Sequence, residues 1–133
     1  MMAKYVYPAV FTPEGDQFSV NFPDVPSCYT CGDGLADAID MAEDVLALRM
    51  CDIENDGDPI PVPTDANGVA HEPGEIVTLI SCDTLAYRRK MDSRAVKKTL
   101  TIPSWLNAMA EEAGVNFSGI LQDALKAHLH LPQ

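Results

Sequence analysis

Ala95-Val-Lys-Lys-Thr-Leu-Thr-Ile-Pro-Ser-Trp-Leu-Asn-Ala-Met-Ala-Glu-Glu-Ala-Gly-Val-Asn-Phe-Ser-Gly-Ile-Leu-Gln-Asp-Ala-Leu125 reads as a short strand followed by two amphipathic helices. Val96, Leu100 and Ile102 share one strand parity, so Lys97, Thr99 and Thr101 point to the opposite face, while Lys98 interrupts the pattern. Pro103 ends the strand, and Ser104 is expected to cap a helix to Ala113 with Trp105, Leu106, Met109 and Ala110 as its apolar stripe. Gly114 closes that helix, and Asn116 caps a second one with Phe117, Ile120, Leu121, Ala124, Leu125 and Leu129 inward. A unit below about 40 residues rarely offsets its ordering entropy alone. A second copy is therefore expected to complete the core, giving a homodimer or a higher even-numbered oligomer. Two such strands paired antiparallel form a ribbon that fits the major groove of DNA. Lys97, Thr99 and Thr101 then face base edges, and the N–H groups that start the second helix, at Asn116 and Ser118, are placed to hold a phosphate.

Upstream, residues 5–12 and 17–22 are rich in aromatic and β-branched side chains, and Pro13-Glu-Gly-Asp16 between them is turn chemistry, which predicts a hairpin. Pro23-Asp-Val-Pro26 redirects the chain toward a third short strand over residues 27–31. From Asp33, read as an N-cap, Leu35, Ala38, Ile39, Ala42, Val45, Leu46, Met50 and Ile53 recur at helical spacing and predict one long helix to Glu54. Alternating prolines in Asp58-Pro-Ile-Pro-Val-Pro63 impose an extended path. A fourth strand is expected over residues 76–81, and a short helix capped by Asp83 runs to Met91, where Arg88, Arg89 and Lys90 suit its C-terminal dipole. Residues 92–95 are read as a linker, dividing the chain into domains 1–91 and 92–133.

Charge follows the same division. Residues 1–86 carry sixteen Asp and Glu against Lys4 and Arg49, a net of −14, whereas residues 87–133 carry four acids against seven bases, a net of +3. An acidic body with a basic tail implies two surfaces with different partners. On the long helix Asp37, Asp40 and Asp44 form a stripe that destabilises the helix slightly and suits docking of a basic protein. The start lacks an apolar signal segment, and no run approaches the roughly 20 residues of a membrane span, so a cytoplasmic protein with no membrane association is expected. Cys28, Cys31, Cys51 and Cys82 are then thiols.

Catalysis and metal binding find little support. Asp16, Asp24, Asp33 and Asp37 would supply carboxylates for a two-metal nuclease, but Asp16 sits in a turn, Asp24 in a Pro-flanked bend and Asp33 at a helix cap, each a local reason for aspartate. Cys28 and Cys31 form one CxxC with no second pair, and His128 and His130 splay apart on a helix. No enzyme activity, metal or cofactor is expected.

Residues 96–129 resemble a ribbon-helix-helix domain of the Arc and MetJ class. Tyr7-Pro-Ala-Val-Phe11, Phe18-Ser-Val-Asn-Phe-Pro-Asp-Val-Pro26, Gly32-Asp-Gly-Leu-Ala-Asp-Ala38 and Asp56-Gly-Asp-Pro-Ile-Pro61 resemble the HicB antitoxins, in which a degenerate ribonuclease-H-like domain precedes a DNA-binding domain. The resemblance implies an α+β fold: a partial ribonuclease-H-like sheet with one long helix, then a ribbon-helix-helix domain. It also implies an antitoxin that neutralises a HicA-type mRNA interferase and represses its own operon by binding operator DNA. The alternative is a free-standing ribbon-helix-helix transcription factor whose N-terminal domain senses a ligand or oligomerises.

Overall fold

In the computed structural model, which describes residues 4–91 and 94–131, the chain divides into two compact units, Met1–Arg94 and Ala95–Gln133. The first holds β1 (Lys4–Glu14), β2 (Gln17–Asn21), β3 (Tyr29–Asp33), α1 (Gly34–Asp56), β4 (Ile76–Asp83) and α2 (Thr84–Met91). Its four strands form one antiparallel sheet in the order β3-β2-β1-β4. The second unit holds α3 (Ser104–Glu112) and α4 (Phe117–His128). Among the described residues no helix is long and apolar enough to cross a membrane.

The expected hairpin forms with Glu14 opposite Gln17, and Gly15 supplies a φ of +65° at the first turn position. β1 carries two prolines without breaking. Pro8 lies where β1 pairs with β4 alone and Pro13 where it pairs with β2 alone, so each has one side on which a missing N–H interrupts no ladder. Tyr7, Ala9 and Phe11 of β1, Val20 of β2 and Ile80 of β4 face α1, which returns Ala38, Ala42, Leu46 and Met50 from a stripe of four-residue spacing. Near the start of that stripe the helix meets β3 so closely that a Cβ on Gly32 would lie 2.5 Å from the Ala38 backbone. Glycine is required there by contact rather than by dihedral angle.

Several local expectations shift. The third strand begins at Tyr29 rather than Ser27, because Ser27 takes a left-handed φ of 55°. Asp33 holds the N-cap position of α1, but its side chain accepts from Gln17 Nε2 (2.8 Å) while the Asp37 carboxylate accepts from the Asp33 N–H (2.8 Å). α1 runs two residues past Glu54 and closes on left-handed Gly57. Asp83 does cap α2, accepting from the Ala86 N–H. In the second unit Pro103, not Ser104, is the N-cap, and no side chain closes the start of α3. The strand expected over residues 96–103 is not formed: the segment has no regular secondary structure, and its residues are exposed. A ribbon strand needs a ladder partner, and a single chain supplies none. In the linker, Asp92 and Ser93 lie outside the described residues.

Candidate functional site

Each unit presents one surface with distinctive chemistry. On the first, an open groove of about 900 Å3 runs between α1 and α2. Asp40, Glu43 and Asp44 line it from α1, Ala86, Tyr87 and Lys90 from α2, and Lys4, Val6 and Ser81 from the sheet. Met41 and Ala47 add apolar surface between the acids. Burial first, then the Asp44 charge, pushes the Tyr87 phenol above its usual ionisation range, so it remains a hydrogen-bond donor at neutral pH. The expected acidic stripe is thus divided: Asp40 and Asp44 belong to the groove, whereas Asp37 is engaged at the first turn of α1 and is not among its lining residues.

The wall formed by α2 is held by a buried carboxylate that sequence reading passed over. Glu54, 1% exposed, accepts from Tyr5 Oη (2.8 Å), Thr84 Oγ1 (2.9 Å) and Arg88 Nη2 (2.9 Å). Arg88 Nη2 also reaches the Cys51 carbonyl (3.3 Å), and its Nε is buried without an acceptor among the described residues. This network ties β1, α1 and α2 together, and it moves Arg88 from a dipole-balancing role into the interior. The signal was present in the spacing: Glu54 follows Leu46 and Met50 at four-residue intervals, and a carboxylate on an inward stripe requires buried donors.

Burial also governs the thiols. Cys28 is buried and Cys31 exposed, and burial raises the Cys28 ionisation to about 11 and that of Cys82 to about 12. Both remain protonated and unreactive at neutral pH.

On the second unit, Lys97, Thr99 and Thr101 are all exposed in the segment before α3. Asn116 caps α4, its Oδ1 accepting from the Gly119 N–H (3.1 Å), which leaves the first-turn N–H groups of Phe117 and Ser118 without intrahelical acceptors. No hydrogen bond among the described residues joins the segment to the start of α4. The apolar residues of both helices are uncovered. Trp105 is 65% exposed, and Leu106, Met109, Phe117, Ile120 and Leu125 are exposed with it; no residue described from 94 onward is buried.

Against known proteins, a model of the HicB-like antitoxins of bacterial toxin-antitoxin systems matches residues 7–125. An uncharacterized 14.9 kDa protein in the rep-hol intergenic region of Haemophilus phage HP1 (strain HP1c1) is 25% identical over 104 residues, covering 76% of this chain and 75% of that protein. Among solved structures, a toxin-antitoxin complex from Streptococcus pneumoniae contains a chain that aligns with a TM-score of 0.61 at 26% identity, over 94% of this chain and 99% of that one. A chain of a HicA3 and HicB3 toxin-antitoxin complex aligns with a TM-score of 0.50 at 27% identity, over 59% of this chain and 99% of that one.

Proposed function

Because the chain belongs to the HicB-like antitoxin family of bacterial toxin-antitoxin systems, we propose that it binds and neutralises a HicA-type toxin with residues 1–91 and represses its own operon with residues 92–133. The observation that carries this reading is the family match from residue 7 to residue 125, which reaches into both units. The first unit, a degenerate ribonuclease-H-like body without catalysis, offers a basic toxin the groove edged by Asp40, Glu43 and Asp44. Opposite charge speeds encounter, and the apolar lining supplies surface that water leaves on docking. In the second unit, the uncovered faces of α3 and α4 close against a second copy, and pairing turns residues 96–103 into the two-stranded ribbon that offers Lys97, Thr99 and Thr101 to DNA. Asn116 and Ser118 then place the start of α4 at a backbone phosphate.

Deleting residues 92–133 separates the two roles. The truncated protein should still suppress toxin-induced growth arrest and co-purify with the toxin, while losing operator retardation. A folded truncation that fails to protect cells would assign inhibition to the dimer or to the C-terminal unit. Full-length protein that neither protects nor captures the toxin, yet retards operator DNA, would favour the free-standing transcription factor.

A further inference from the structure

Asp58-Pro-Ile-Pro-Val-Pro63 lies outside the sheet, yet it is built like a strand waiting for a neighbour. Its three prolines fix φ at about −65°, and Asp58, Ile60 and Val62, each preceding a proline, are pushed out of the helical region. The body holds this extended path at three points. The Asp58 N–H donates to the Ile53 carbonyl (3.2 Å) and Tyr7 Oη to the Pro61 carbonyl (2.7 Å). Beyond the prolines, Asp24 accepts from both the Thr64 N–H (2.8 Å) and Thr64 Oγ1 (2.6 Å). Between these anchors only Ile60 and Val62 carry an N–H, and among the described residues neither their N–H nor their carbonyl groups are hydrogen-bonded. In an extended chain alternate residues present their polar groups to one side, so Ile60 and Val62 form a single edge, whereas the Pro61 carbonyl, of the other parity, is taken by Tyr7. Val62 is 83% and Ile60 43% exposed.

We infer that this edge receives an extended basic segment of the toxin, which adds as a strand across Ile60 and Val62. The inference rests on the reading of the chain as an antitoxin and names the chemistry of a segment it holds. Charge selects the occupant. Residues 50–87 carry eight Asp and Glu and no Lys or Arg, with Asp56 and Asp58 directly before the edge and Asp65 just after it. Lysine or arginine flanking the incoming strand meets opposite charge at both ends, whereas a second copy of this chain brings a like-charged body. An antiparallel partner pairs with alternate residues, so the N–H and C=O of Ile60 and Val62 offer it four backbone bonds, and their exposed side chains offer apolar contact. The prolines and anchors fix the edge beforehand, which lowers the ordering entropy lost on docking. The same prolines confine pairing to two residues and so blunt indiscriminate strand addition.

The test uses the full chain and the purified HicA-type toxin. Amide exchange resolved at Ile60 and Val62 should be fast in the free protein and slow in the complex. Val62→Pro removes one donor while keeping the extended path, and because that N–H is unbonded in the free chain, circular dichroism should not change. Its affinity for the toxin should fall about tenfold, the effect of one unmade hydrogen bond, and that of Ile60→Pro with Val62→Pro about a hundredfold. Val62→Ala, which keeps the donor, should lose less than Val62→Pro. Asp56→Asn with Asp58→Asn leaves the edge intact and should slow association and flatten its salt dependence. A toxin complex in which both amides still exchange at the free rate would overturn the inference, as would wild-type affinity in the Val62→Pro protein. The latter result with the segment shielded would assign it to a reader of proline rings. An association rate unaffected by removing both aspartates would overturn the basic chemistry of the occupant. A wild-type chain that does not capture the toxin at all removes the antitoxin reading, whereas capture with an unprotected edge removes this inference alone.

Discussion

Gly32 shows how much one missing methyl group can matter. With the Ala38 backbone 2.5 Å from where a Cβ would sit, Gly32→Ala must push α1 away from β3, and overpacking of this kind costs about 1–3 kcal/mol. Urea denaturation should show a lower midpoint with an unchanged slope, whereas Gly15→Ala, in a turn with open space around it, should cost only the strain of its positive φ. Lys97 and Thr99 pose the complementary question for the proposed DNA surface. Lys97→Ala should weaken operator and random DNA alike and reduce the salt slope by about one if the ammonium contacts phosphate, or relax specificity by about 1–3 kcal/mol if it contacts a base. Thr99→Ala, truncating a shorter side chain, should act on specificity. Titrations against both DNAs at several salt concentrations distinguish the cases, and unchanged affinity in both variants would place the DNA surface elsewhere. Arg88 is a poor substitute for it, since Glu54 and the Cys51 carbonyl already hold its guanidinium.

At the scale of elements, α2 depends on Glu54. Arg88→Ala leaves a carboxylate that is 1% exposed with only two hydroxyl donors, and loss of such a partner costs about 2–4 kcal/mol, less than for a fully enclosed pair because Arg88 is about a quarter exposed. Faster amide exchange in α2 and near the C-terminus of α1, with slow exchange retained in β1 and β2, is the expected pattern. Alkali should loosen this region and the core around Cys28 as well. Burial raises the Tyr5 phenol to about 12, with the Glu54 hydrogen bond adding to the effect, and raises the Cys82 thiol to about 12 and the Cys28 thiol to about 11. Each group is neutral when protonated and ionises later in the folded state. Its contribution is therefore complete below about pH 9 and is lost as pH climbs toward 12. Denaturation midpoints should fall between pH 9 and 11, and a flat profile across that interval would contradict the burial of these groups.

For the molecule as a whole, the second unit sets the strongest expectation. A pair of helices with Trp105, Ile120 and Leu125 uncovered is not a finished core, and placing a charge at half-buried Leu121 should disrupt whatever completes it. Leu121→Asp should lose operator binding entirely and retain toxin suppression, read by gel retardation and growth rescue. Retained operator binding would mean that DNA is contacted without pairing through these helices.

Local chemistry carried the order of the elements: alternation in residues 5–12 and 17–22, the glycine of the hairpin turn, the apolar spacing of α1, and the caps at Asp83 and Asn116 each concern residues within a few positions of one another. The acidic stripe was legible for the same reason, as was the change of charge sign near residue 87. What the tertiary structure alone decided involves partners far apart in the chain. β4 reaches back to pair with β1 rather than extending the sheet beside β3, Glu54 collects Tyr5, Thr84 and Arg88, and the groove draws Asp40 and Asp44 away from Asp37. The spacing of Glu54 after Leu46 and Met50 signals that it is buried, but its partners and the pairing of β4 have no local signature, because burial and hydrogen bonding across some thirty to eighty residues of chain depend on which faces meet. Residues 96–103 mark the boundary between the two kinds of information: their alternation reads as a strand, but a strand also needs ladder bonds to a neighbour, and the segment has no regular structure in the single chain.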